Sequence, residues 1–347
     1  MNDCAVTIGG VRFRNPVFAG SAEHLIEAEG IVRALEAGAG AVIVKSTNES
    51  DAARDQLQRA EYLALDPDWK PLPWSAAAPR EAFIACRSGL SPLAFAPWLE
   101  QTARLDRQAR EHDSYVVASL ILSGLDRLVE MARQVEQAGV RILEVNIGTP
   151  YASQAAKGAV STELDPARIV EIVAAVRAAV RLPLWVKITG QSERVPELAA
   201  AAREAGADAV VMAGRLLGLV PDLDTMRPML GTSLGVGGGW HLPLTCHWLA
   251  LSRARLGAAF PLIGTNGAQS GEDVARMMLA GAHAVEMSTA VMMRGARVLT
   301  DAVAGLQRYL DRAGVDAAAL TGRAADARLA FAEMPLRRDN WKNYVTP

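Results

Sequence analysis

The chain reads as an α/β protein of the (β/α)8 barrel class, and three observations predict it. A phrase in which a helix stops at Ala-Gly and a short apolar strand follows recurs four times. Other apolar strand-like runs fall between the copies and bring the count to eight. The segments separating strands show apolar residues at three-to-four spacing, as amphipathic helices do. The four copies are AGAGAVIVK at 37–45, AGVRILEVN at 138–146, AGADAVVMA at 205–213 and AGAHAVEMS at 280–288. Glycine suits the left-handed position that ends a helix, and a short strand that is apolar throughout suits a parallel sheet covered on both faces.

In chain order, VTIGGVRF predicts a hairpin turned at Gly9-Gly10 that closes the barrel floor. The strands between the phrases are expected at 16–19, 115–120, 184–188 and 260–263, and helices at 126–137, 166–180, 193–204 and 271–279. A final helix and tail occupy 298–347. A doubly wound open sheet would give the same alternation, and the strand-end motifs below favour the barrel. Two long segments break the rhythm, at 48–96 after strand 2 and at 214–242 after strand 6. Long loops after barrel strands build active sites, and Trp69, Trp74 and Phe83 argue against a disordered insertion because they are poorly suited to solvent.

With 347 residues, half of them hydrophobic, one domain over 1–347 with 313–347 as its tail can bury a full core. A net charge of −2 selects neither nucleic acid nor an anionic membrane surface, leaving a small-molecule partner. Cys4, Cys86 and Cys246 are too far apart for a disulfide framework, an iron–sulfur cluster or a thiolate zinc site, which fits the reducing cytoplasm. The N-terminus lacks the order of a signal peptide and no long apolar run is present, so a soluble protein without metal is expected.

Polar residues collect where strands end, the position of barrel chemistry. They are Ala19-Gly20-Ser21, Lys45-Ser46-Thr47, Asn146, Lys187, Gly264-Thr265-Asn266-Gly267 and Ser288-Thr289. Lys45 and Lys187 each end a buried strand, so each ammonium must meet an anion or snorkel to water; two such sites together favour an anionic ligand. GTNGAQSGED after strand 7, with Ser270 as an N-cap, followed by STA after strand 8, has the form of a phosphate site, although a G-x-x-G turn alone is more often only a turn. One phosphate and a second electron-rich region match flavin mononucleotide, FMN.

The phrases NPVFAGSAE, VIVKSTN, EVNIGTPYA, WVKITG, GVGGGWHLPL and IGTNGAQSGEDVARMMLAGAHAVEMSTA, in that order, resemble the strand ends of the dihydroorotate dehydrogenase and dihydropyrimidine dehydrogenase flavoproteins. The resemblance implies an FMN-dependent oxidoreductase acting on a carbon–carbon single or double bond, and a homodimer. It implies that Ala19, Gly20, Lys45, Ser46, Asn146 and Lys187 line the flavin, with Lys187 at its N1 and O2 edge. Gly238, Gly239, Asn266, Gly267, Ser288 and Thr289 would hold the phosphate, although Asn266 and Ser288 stand where the family usually has glycine. Thr149 matches the family's general acid/base, with Lys45 as a second catalytic candidate. A threonine hydroxyl is a very weak acid and would need a proton relay.

The asparagines with which these families clamp a pyrimidine are missing, since none occurs between Asn48 and Asn146 or between Asn146 and Asn266. Their places fall on Ala85 or Cys86, Tyr151 and Gly214. Arg87, Tyr151, Arg215, Trp240 and His241 become the substrate candidates, the arginines suggesting an acidic substrate other than dihydroorotate. A true dihydroorotate or dihydropyrimidine dehydrogenase, a silent flavin-binding module and a non-redox phosphate-binding isomerase are the alternatives. Without cysteine clusters, electrons must leave by a route other than the iron–sulfur centres of the dihydropyrimidine enzymes.

Overall fold

The computed structural model describes residues 2–122, 124–148, 163–212, 214 and 216–345, the side chains of 52 and 53 excepted. Eight parallel strands close into a barrel: β1 Val17–Ala19, β2 Ala41–Ile43, β3 Val116–Ile121, β4 Leu143–Asn146, β5 Leu184–Lys187, β6 Ala209–Met212, β7 Leu262–Thr265 and β8 Ala284–Met287. Each pairs with the next and β8 returns to β1, which decides between the closed barrel and the open sheet. Every residue of these strands is buried, as strands covered by helices outside and side chains inside require.

The helices that follow the strands are α1 Ala28–Glu36, α2 Phe95–Ala109, α3 Leu125–Gln137, α4 Pro166–Ala179, α5 Val195–Glu204, α6 Leu242–Leu256, α7 Gly271–Leu279, α8 Thr289–Arg294 and α9 Arg297–Ala313. The recurrent Ala-Gly stops behave as expected: Gly38, Gly139, Gly206 and Gly281 all have positive φ, from 77° to 120°. None of the described helices is long and apolar enough to cross a membrane.

The hairpin Val6–Ile8 and Val11–Phe13 turns at Gly9-Gly10, both at positive φ, with Ile8 opposite Val11. It carries Phe13 into the floor of the barrel. There the Phe13 ring lies 5.0 Å from Phe18 and 5.8 Å from Trp185, and Phe18 stacks on Trp185 at 5.9 Å. All three are fully buried. Burial of each contributes about 1.5–3 kcal/mol, so the lower half of the barrel is a dry aromatic plug and chemistry is confined to the upper half.

The two long segments are not separate lids. Their strands form one antiparallel sheet in the order Leu216–Gly218, Leu234–Gly237, Phe83–Arg87, Glu61–Leu65, Pro71–Leu72. Val236 is opposite Ala85, and Ala85 is opposite Leu63. One face packs Leu65, Phe83, Ala85, Leu234 and Val236 into a satellite core, while Ala64 and Ile84 on the other face meet Met293 of α8. Trp69 and Trp74 depart from expectation: both are about half exposed, lying edge-on to Phe83 and Tyr62 rather than in a core. The apolar demand of the segments is met instead by alternating strand residues.

Candidate active site

Successive inward side chains on a strand are two residues apart, so above Trp185 and Phe18 the barrel interior presents Lys187 and Gly20. The Lys187 ammonium crosses the interior. Its Nζ lies 2.5 Å from Oε2 of Glu286 on β8 and 3.1 Å from Oε2 of Glu144 on β4. Ser119 donates to Glu144 Oε1 at 2.8 Å, Ser119 and Ser46 hydroxyls are 2.8 Å apart, and Ser46 reaches Ser21 at 3.4 Å. A polar layer therefore runs from β8 through β5, β4, β3 and β2 to the loop after β1. Burial alone would pull the Lys187 proton off, but the two carboxylates outweigh it and hold the ammonium above its ordinary range. Burial pushes the Glu286 carboxyl upward, and Glu144 adds to this against the attraction of Lys187.

Lys45 follows β2 and is held at 2.8 Å by Glu23, from the loop after β1. Burial opposes ionisation of Glu23, yet Lys45 outweighs it, and a hydrogen bond from Tyr62 of the inserted sheet adds to the lowering. The expectation that both lysines await an external anion is thus corrected: each already has a carboxylate from its own chain. An ammonium has three donors, so both retain capacity toward a ligand. Beside Lys45, His24 and the Asn48 amide nitrogen are buried without hydrogen-bond partners.

At the Glu286 end of this layer, the segments after β1, β7 and β8 and the strand Leu234–Gly237 press together. A Cβ on Gly237 would stand 2.6 Å from Thr289 Oγ1 and 3.5 Å from Asn266 Oδ1, and one on Gly20 would collide with Ser288 Oγ. Gly238 is extended against Phe83, and Gly239 approaches Gln269. Asn266 has φ +71°, a left-handed conformation that asparagine tolerates better than most residues, and its amide donates to the Gly214 carbonyl at 3.0 Å. Thr245 donates to the Asn266 carbonyl at 2.8 Å. Ser270 caps α7 through the Asp273 amide, as its sequence position suggests.

These contacts give a physical account of both departures from glycine. Ser288 is accommodated because its neighbour Gly20 has no side chain, and Asn266 because its backbone is left-handed. The cradle offers backbone amides, two hydroxyls and a carboxamide, a donor set that fits a phosphate. Gly267, at φ +114° with a virtual Cβ 2.5 Å from the Leu242 backbone, is the position where the turn demands glycine. Gly267→Ala is expected to cost about 1–3 kcal/mol of stability and to weaken phosphate-ligand binding, measured by urea denaturation and ligand titration. Unchanged values for both would show that the turn is not constrained.

The dihydroorotate dehydrogenase family model matches residues 73–310. The chain belongs to this family. It is 33% identical over 197 residues to the dihydroorotate dehydrogenase B (NAD(+)) catalytic subunit of Bacillus pumilus, covering 56% of this chain and 58% of that protein. It is 30% identical over 216 residues to a putative dihydroorotate dehydrogenase A (fumarate) of Aeropyrum pernix, covering 62% and 69%. The chain thus spans under two thirds of the Bacillus protein's length. In structure it is similar to dihydroorotate dehydrogenase from Eimeria tenella, solved in complex with ferulenol, with a TM-score of 0.71, 18% identity, and 94% and 89% of the two chains covered. That likeness supports the fold.

Of the residues the family pattern points to, Ala19, Gly20, Lys45, Ser46, Asn146 and Lys187 meet around the barrel mouth, and Gly238, Gly239, Asn266, Gly267, Ser288 and Thr289 around the cradle. Asn146 turns its side-chain oxygen onto the Gly148 amide at 3.1 Å. Among the described residues, the substrate candidates are Arg87, Trp240 and His241. Arg87 lies in the inserted sheet, paired with Glu61 at 2.6 Å and with the Leu230 carbonyl, so its guanidinium is already engaged. His241 is fully buried at the start of α6 with Nδ1 3.0 Å from Thr245, whose hydroxyl reaches the Asn266 carbonyl after β7, and burial pushes the imidazole pKa down to about 4. Trp240, half exposed, lies edge-on to it. Thr149, Tyr151 and Arg215 lie outside the described residues. Reading the sequence missed Glu23, Tyr62, Ser119, Glu144 and Glu286. The glutamates left a signal, since a charge inside LEVN and AVEM must be satisfied within the barrel.

Proposed function

We propose that the chain is an FMN-dependent oxidoreductase acting on a carbon–carbon single or double bond of a small organic substrate. The supporting observation is the pairing, at the C-terminal ends of the barrel strands, of a buried lysine-centred polar layer with a backbone cradle whose glycines have no room for a Cβ. Ala19, Gly20, Lys45, Ser46, Asn146 and Lys187 would hold the ring system, and Gly238, Gly239, Asn266, Gly267, Ser288 and Thr289 the phosphate. Bound FMN supplies reversible two-electron, hydride-accepting chemistry. The chain's own work is to orient the ring, to place the Lys187 ammonium where negative charge develops, and to move one proton, for which Thr149 is the first candidate and Lys45 the second. A cytoplasmic homodimer working with a separate electron partner fits this reading.

The missing asparagines support a substrate other than dihydroorotate, because a pocket that recognises a ring by hydrogen bonds loses several orders of magnitude when those partners go. The names of the relatives favour the second reading, dihydroorotate itself. Anaerobic mixing of the FMN-loaded protein with dihydroorotate, dihydrouracil or dihydrothymine separates the two. Slow or absent bleaching of the flavin by all three is expected; bleaching by dihydroorotate at a catalytic rate would establish the second reading.

A further inference from the structure

The polar layer holds one ammonium and two carboxyl groups, all inside the barrel. Glu144 and Glu286 are essentially inaccessible to water, and Lys187 is 7% exposed. If both carboxyls were ionised, the cluster would carry one uncompensated negative charge in a region closed below by Phe13, Phe18 and Trp185, at a cost of several kcal/mol. The remaining neighbours offer no relief. β1 turns Phe18 and Gly20 toward Glu286, β7 places Thr265 beside it, and Ser288 follows it. Among the described residues, Lys187 and Glu144 are the charged groups that act on it, while Lys45 is engaged by Glu23.

The hydrogen bonds apportion the charge. Glu144 accepts from Ser119 at Oε1 and approaches Lys187 with Oε2, the pattern of an ionised group. Glu286 accepts from Lys187 through Oε2, and its Oε1 has no donor; Glu144 Oε2 has no well-aligned donor either. The Oε2 atoms of the two carboxyl groups flank the same ammonium, at 2.5 and 3.1 Å, so one buried positive charge faces two acids, and a proton on one of them makes the cluster neutral.

We propose that Glu286 retains a proton at neutral pH, shared with Glu144, so that the cluster around Lys187 is electrically neutral and its proton count follows the charge of the ligand that Lys187 faces. Glu286 is thereby a positioning residue: it lets the ammonium meet negative charge without a second buried carboxylate opposing it. The ligand half of this statement rests on the FMN reading, and the proton half does not.

Two measurements separate them. Infrared spectra of the flavin-free protein at pH 7, with and without isotope-labelled glutamate, are expected to show the carbonyl band of a buried protonated glutamate. The band should vanish in Glu286→Gln and also in Glu144→Gln, because either change leaves one carboxyl for one ammonium. A wild-type spectrum without the band, or a band that survives both substitutions, overturns the proposal. Because two near-isosteric variants are used, failure of one to fold leaves the other to decide. FMN affinity is then followed from pH 6 to pH 9. The wild-type dissociation constant should rise toward about tenfold per pH unit once Glu286 ionises, and stay flat in Glu286→Gln. A flat wild-type profile overturns the linkage. Absence of FMN binding would sink the flavin reading instead, with the infrared band still deciding the proton.

Discussion

Lys187→Met should lower the unfolding free energy by about 3–5 kcal/mol and abolish FMN binding. The substitution keeps the volume of the side chain and removes only its charge. It leaves Glu144 and Glu286 facing each other in a sealed interior, where Lys187 had been 2.5 and 3.1 Å away. Denaturant unfolding monitored by circular dichroism measures the loss. The double variant Lys187→Met, Glu144→Gln should recover much of the stability, since with Glu286 protonated it removes the one stranded charge, while FMN binding stays lost. Additive effects of the two substitutions would mean that they do not share an electrostatic cluster. A single variant as stable as the wild type would contradict the described polar layer.

The second large effect is on acid stability. Burial pushes the imidazoles of His24, His241 and His283 down to about 4, with Lys45 adding to it at His24 and Arg253 at His283. In the unfolded chain each titrates near the ordinary histidine value of about 6.5. Between these values the unfolded chain holds protons that the folded one does not, so stability is full above about 6.5 and falls as pH drops toward 4. Each group contributes a slope of up to about 1.4 kcal/mol per pH unit. Glu286, kept neutral when folded, opposes with one proton, leaving a net slope of up to about 3 kcal/mol per pH unit. Urea midpoints at pH 7 and pH 5 test this; His241→Asn should remove about a third of the histidine contribution. Equal midpoints at the two pH values would contradict it.

Much of the fold was legible because its signals are local. A glycine that needs positive φ after a helix, followed by a short apolar run, marks β2, β4, β6 and β8, and the two-residue Gly9-Gly10 turn sets the hairpin register. The cradle residues were legible for the same reason: Gly267 and Ser270 announce a turn and a cap. Pairing at long range was not. Val236 meets Ala85 across a gap of about 150 residues, and neither strand's alternation names its partner. Similarly, Lys187 and Glu286 are 99 residues apart, so the lysine read as waiting for a ligand when its counter-charge lay in the next-but-two strand of the barrel. The partner of Arg87 was hidden on the same grounds, Glu61 being brought opposite it by sheet register.

The central claim, that the mouth of this barrel is a flavin site, is tested most directly by titrating the flavin-free protein with FMN and following absorbance and flavin fluorescence. The account predicts saturable binding of one FMN per chain, with the flavin spectrum perturbed by the Lys187 ammonium and the binding lost in Lys187→Met. Free-flavin spectra at every concentration, with no saturation, would contradict it.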